Sequence, residues 1–170
     1  MERRIYTTGQ RLSLAEYLDD VDDPAGYEDW LDPDTQSGYN YHFTDTYDEY
    51  HGAESSSHRF EAVIIRNADE KVIGSVSLSP EGTLPDLAIR IYLPYRAAGY
   101  GTEAFRLALE YCFAVLGFEL IYAGCYEHNT ASSRMLKSLG FIPYPEGNCP
   151  ETHYLTGEPI VQLDFVKYRD

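Results

Sequence analysis

The stretch YLPYRAAGYGTEAFRLALEY, residues 92 to 111, restricts the fold more than any other part of the chain. It continues from LAIRIYL at 87 to 93, where Leu87, Ile89, Ile91 and Leu93 alternate with Ala88, Arg90 and Tyr92, the period of a strand with one face on a core. Pro94 stops that strand. From near Gly99 the spacing predicts a helix, because Phe105, Leu109, Cys112, Phe113 and Leu116 recur three and four residues apart, and Gly117 ends it. A strand that passes through a small-residue loop into an amphipathic helix lays that helix back on its own sheet, which points to a mixed α/β domain.

The flanking segments extend the pattern. Residues 59 to 66, RFEAVIIR, and 72 to 78, VIGSVSL, read as two strands joined by NADEK, a loop of hairpin length. Downstream, ELIYAGCY at 119 to 126 is a strand, EHNT a turn, and ASSRMLKSLG a helix closed by Gly140. HYLT at 153 to 156 and IVQLDFV at 160 to 166 complete the sheet. Upstream, Leu12, Leu14, Ala15, Leu18 and Val21 fall mainly on one helical face, so a short helix is expected over 11 to 21, with Ser13 as its cap and Glu16 three residues later. From Pro24 to about Ser57 the chain is rich in Asp, Gly and aromatics. Trp30, Tyr39, Tyr41 and Phe43 carry more apolar surface than a linker needs, and Trp30, Tyr39, Tyr41 and Asp45 are expected to form an acceptor wall beside the core, with ordinary peripheral packing as the alternative.

At 170 residues a single domain is expected to carry the function. No segment approaches the run of about 18 apolar residues that suggests a membrane span. The opening residues turn acidic without the apolar core of a secretory signal, so a cytoplasmic protein is expected. Cys112, Cys125 and Cys149 are spaced for neither a disulfide framework nor zinc, and no metal site is expected. The net charge is −15, and residues 1 to 54 hold 14 acidic against 3 basic side chains. Such a surface repels nucleic acid and favours a basic acceptor, although solubility accounts for the same charge.

The loop itself admits several readings. Gly99, Gly101 and Ala104 match the G-x-G-x-x-G/A of dinucleotide sites, and Glu119 lies near the spacing of a ribose-binding acid. Yet Glu119 opens its strand instead of closing it, a hairpin precedes the loop, and no second βαβαβ half follows. A nucleoside-triphosphate loop lacks its lysine, since none occurs between Lys71 and Lys137. What remains is R-x-x-G-x-G at 96 to 101: glycines open the amides to a diphosphate, the helix start adds unpaired N–H groups, and Arg96 adds charge. The alternative is a tight strand-to-helix turn with a glycine cap.

Arg96, Gly99 and Gly101 satisfy the Q/R-x-x-G-x-G/A loop, and NTASSRMLKSLGF at 129 to 141 supplies an N-x-x-S-x-R segment leading to G-F. On these two motifs the chain resembles the GNAT superfamily of N-acetyltransferases, and within it the branch of ribosomal-protein N-terminal acetyltransferases. The resemblance implies one domain over 1–170 with a mixed central sheet flanked by helices, 59–168 as core and 1–58 as a divergent acidic segment on the substrate side. It implies a V-shaped opening between the fourth and fifth strands, matched here to 87 to 93 and 119 to 126, across which acetyl-coenzyme A lies. Cofactor contacts are expected from Ile91, Tyr92 and Leu93 on the strand, from Arg96, Ala97, Ala98, Gly99, Tyr100, Gly101 and Thr102 in the loop, and from Asn129, Ser132 and Arg134. Ser132 is expected to stabilise the leaving sulfur, unless it lies only in the first turn of a helix capped by Asn129 or Thr130. The tyrosine acid of many relatives is Leu136 here.

Glu127, His128 and Glu103 are the candidates for the base. The resemblance implies direct transfer of acetyl from acetyl-coenzyme A to a primary amine, a protein N-terminus or a small molecule; the charge and hydropathy lead to no nucleic-acid or membrane partner, and the final β-hairpin, able to complete its own sheet or exchange with a partner, allows a monomer or a homodimer. A silent acyl-coenzyme A sensor or interaction module is the alternative.

Overall fold

A computed structural model of the chain describes residues 2–53 and 57–170. The fold opens with a hairpin of β1 (Ile5–Thr8) and β2 (Leu12–Glu16) where a helix was expected. Leu12 and Leu14 alternate into the core, and between them Ser13 donates to Asn67 Oδ1 at 2.7 Å instead of capping a helix. The apolar spacing of 12 to 16 satisfies either period, and pairing of β2 with β3 (His58–Arg66) decides for the strand. β4 (Lys71–Pro80) and β5 (Leu87–Ile91) complete a five-stranded antiparallel sheet in the order β1-β2-β3-β4-β5.

Three helices cover one face. α1 (Asp19–Trp30) buries the carboxylates of Asp22, Asp23 and Asp29, α2 (Pro33–Tyr39) is capped by Asp32 through Thr35 N, and α3 (Tyr47–Gly52) opens with a Thr46/Glu49 capping box. On the opposite face α4 (Tyr100–Ala114) buries Ala104, Phe105, Ala108 and Cys112 against Leu12, Ile64, Val76 and Leu87. β6 (Leu120–Tyr126) leads to α5 (Thr130–Ser138), and β7 (Ile142–Pro143), β8 (Cys149–Thr152) and β9 (Pro159–Tyr168) follow. HYLT contributes no strand: the partner of β9 lies just before it, at Cys149–Thr152, because Gly157 bends the chain at φ +71°.

β9 lies between β6 and β7, and β8 also pairs with it. Among the described residues the two sheets are joined in their backbones by one parallel bridge, Asp86 with Tyr122, where Tyr122 N donates to Pro85 O at 2.8 Å. Beyond it β5 and β6 part, so the opening expected between segments 87 to 93 and 119 to 126 is present, bounded by the fifth and sixth strands in chain order. Among the described residues no helix is long and apolar enough to cross a membrane.

Candidate active site

The glycine loop is built by backbone conformations that side chains resist. After a 3-10 turn at Leu93–Tyr95, Ala97 adopts φ +65° and Gly99 φ +78°, and Gly99 caps α4 with no side-chain partner. The first N–H groups of α4, on Tyr100, Gly101 and Thr102, therefore have no acceptor within the helix. A groove of about 390 Å³ runs past them, lined by Ile91, Tyr95, Gly99, Gly101, Thr102 and Ser132. A methyl group on Gly101 would stand 3.7 Å from Ile89 and 3.8 Å from Ile91, so the loop seals the groove against β5 without crowding it.

Arg96 also lines that groove, but its guanidinium is taken up by protein partners. Nε donates to Ile91 O at 2.8 Å, Nη1 to Asp32 at 2.7 Å, and Nη2 to Asp29 at 2.9 Å and Thr35 at 2.7 Å. Asp29, whose side chain is 1% exposed, also meets Arg90 at 3.4 Å. Arg96 thus ties the loop to α1 and α2, through acids more than sixty positions away.

The opening shows its main chain. Tyr92 N donates to Ile73 O and Ser79 N to Asp86 O, so the even-numbered residues of β5 face β4. By the two-residue period, the N–H and C=O of Ile89 and Ile91 face the gap. Of the expected strand contacts, Ile91 is therefore at the opening, Tyr92 is committed to the β4 ladder with its side chain buried, and Leu93 lies exposed in the turn. Two side chains rest on this edge: Arg96 Nε on Ile91 O, and Tyr39 Oη, 3.2 Å from Ile89 O. The cavity behind them holds about 480 Å³ and brings together Tyr39, Asp86, Cys125, Asn129, Ser132 and Leu136.

Asn129 caps α5 through Oδ1, which accepts from Ser132 N at 3.1 Å, leaving its Nδ2 for the cavity. Ser132 is half-buried, and among the described residues its hydroxyl makes no hydrogen bond. Arg134 is exposed on α5. Glu127 and His128 are exposed past the end of β6 and outside the cavity lining, with His128 stacked on Tyr126 at 5.9 Å. Glu103 is bound to Arg11 at 2.6 Å beside the loop, also outside the cavity. Leu136, 1% exposed, presents only methyl groups there.

Three carboxylates line the cavity: Asp29 is committed to Arg90 and Arg96, Asp34 is exposed on α2, and Asp86 is half-buried, an acid that sequence reading passed over because after Leu-Pro it reads as a turn residue. Its backbone is fixed to Ser79, while its carboxylate accepts no hydrogen bond among the described residues. Burial, and after it the charge of Asp164, pushes its pKa up to about 7. Asp86 also borders a second cavity of about 480 Å³ lined by His58, Tyr122 and Asp164. Burial also raises the pKa of the Cys125 thiol, with a smaller opposing influence from Lys137, so the sulfur at the opening is held protonated.

The aromatic segment packs on the α1 side of the sheet. Trp30 stacks on Phe43 at 5.6 Å, meets Tyr39 at 5.0 Å, and carries Arg90 over its ring at 4.8 Å. Of the expected wall residues Tyr39 lines the cavity, whereas Trp30 supports it from behind and Tyr41 and Asp45 lie outside the lining.

Comparison with known proteins places this arrangement. The chain is similar over 94% of its length to spermidine N-acetyltransferase from Vibrio cholerae in complex with CoA and spermine, at 17% identity, 96% of that chain and a TM-score of 0.79. A GNAT-family acetyltransferase from Bacillus anthracis matches 95% of this chain and 96% of its own at 20% identity and TM-score 0.75. Ribosomal-protein-S5-alanine acetyltransferase from Vibrio fischeri matches 96% of each at 16% identity and TM-score 0.74. At such identities the structures establish the fold and single out no branch. No curated protein sequence matches. A family model, Acetyltransferase (GNAT) domain, matches residues 11–142, reaching into the N-terminal region through β2, and with most of the length covered the chain belongs to the GNAT acetyltransferase family.

Proposed function

We propose that the protein transfers acetyl from acetyl-coenzyme A to a primary amine by direct attack. The observation that carries this reading is the parting of β5 and β6, with Ile89 and Ile91 main-chain groups facing a cavity that adjoins the glycine loop and contains the carboxylate of Asp86, which has no hydrogen-bond partner among the described residues. Acetyl-coenzyme A supplies a thioester whose acyl carbon a neutral amine attacks and whose thiolate departs.

The N–H groups opening α4 bind the diphosphate, and the edge of β5 pairs with the extended amide arm as an added strand would. Asn129 Nδ2 orients that arm. Ile89 N–H is the donor for charge developing on the acyl oxygen, held rigid by the β4 ladder. Asp86 takes the proton of the incoming ammonium, since a carboxylate near pH 7 is half-ionised where an amine arrives protonated. Ser132 Oγ holds a proton at the cavity mouth, the role that Leu136 does not fill. A cationic acceptor, either a small amine or a basic peptide N-terminus, suits the acids around the cavity, Asp34 and Asp86.

Calorimetric titration with acetyl-coenzyme A, followed by thiol-release assays over an amine panel, tests this. Saturable binding with amine-dependent release supports it. Binding without turnover on any amine would favour a silent acyl-coenzyme A sensor, and no binding by folded protein would remove the reading.

A further inference from the structure

Arg96 is the motif cation, yet its guanidinium is spent on Asp29, Asp32, Thr35 and Ile91 O. A different arginine stands against the glycine loop. Arg11, at the turn into β2, donates from Nη1 to Ala98 O at 3.2 Å and lies over the Tyr100 ring at 4.7 Å. Glu103 in the first turn of α4 accepts from Arg11 N at 2.9 Å and Nε at 2.6 Å, which fixes the guanidinium fork from the rear. Nη2 makes no hydrogen bond among the described residues, and it is the atom nearest to the bare side of Gly99, 3.6 Å from where a β-carbon would stand. The side chain remains 46% exposed.

Resting on the acyl-coenzyme A reading, we infer that Arg11, brought to the loop by the N-terminal hairpin, is the charged diphosphate-binding residue of this site, and that Arg96 is a positioning residue. The planar fork suits this division. Nε and Nη1 hold the loop while Nη2 keeps two donors for a phosphate oxygen beside the α4 amides. Arg96, by contrast, borders the groove but cannot give its guanidinium to a phosphate without leaving Asp29 buried with one arginine fewer.

The test is calorimetric titration of wild type, Arg11→Gln, Arg11→Lys and Glu103→Gln with acetyl-coenzyme A and with S-acetylpantetheine, which lacks the nucleotide diphosphate. Arg11→Gln should bind acetyl-coenzyme A roughly tenfold more weakly, the scale of one charge-assisted hydrogen bond. Its affinity should also depend less on salt, while S-acetylpantetheine binding stays at the wild-type level. Arg11→Lys should keep most of the affinity, and Glu103→Gln should tighten binding by removing the charge that offsets Arg11. If Arg11 only braces the loop, Arg11→Lys falls as far as Arg11→Gln and Glu103→Gln also weakens binding, which overturns the inference. Failure of the wild type to bind acetyl-coenzyme A would instead remove the reading on which it rests.

Discussion

Replacing Asp86 by Asn separates the cost of this carboxylate from its use. Its pKa stands at about 7 against an ordinary 3.8, because burial and then Asp164 disfavour the charge. Between about pH 4 and 7 the unfolded chain has lost this proton while the folded chain keeps it, so the folded state binds more protons and stability falls as pH rises. A difference of about 3, at about 1.36 kcal/mol for each, sets a penalty on the order of 4 kcal/mol, fully present above pH 7. Asn cannot ionise, and no hydrogen bond to the carboxylate is lost among the described residues. Urea denaturation should therefore find Asp86→Asn close to wild type near pH 4 and more stable by a few kcal/mol at pH 8. Some pH dependence should persist in the variant, since burial and then Asp19 and Asp23 push Glu61 up to about 7 as well. Acetyl transfer should fall on the order of a hundredfold with loss of the base. A stability difference that stays constant across this range, or a variant less stable than wild type at pH 8, refutes the reasoning.

Three further outcomes follow from contacts. Arg96→Ala strips Asp29 of its closer partner and should cost about 3 kcal/mol in denaturant, with near-ultraviolet dichroism reporting a loosened Trp30 cluster. Gly101→Ala should keep acetyl-coenzyme A affinity within a few-fold, because its methyl group has ordinary contacts, whereas Gly101→Glu should abolish binding by placing a carboxylate where the diphosphate lies. In β4, Gly74→Ala would put a β-carbon 2.1 Å from Arg90 O, so thermal unfolding should show a loss of about 3 kcal/mol or more and a wider opening at β5.

Local chemistry accounts for what could be read directly. Alternation over 87 to 93, Pro94, Gly99 and the helical spacing from Phe105 each act within a few residues, so strand, loop and helix follow from the order of side chains alone. The cap at Asn129 is equally local, joining residues three apart. Where two periods competed, the sequence was silent: Leu12 and Leu14 became a strand because β1 and β3 lie on either side to share its hydrogen bonds. The site divides along the same line. Its amides belong to the loop, but the charges around them come from distant segments. Arg96 is drawn away by Asp29 and Asp32, Arg11 is carried in by a hairpin, and Asp86 holds its proton because the fold buries it and sets Asp164 nearby. Backbone conformation is chosen by neighbours in the chain, whereas charge is governed by neighbours in space, and only the tertiary structure decides which those are.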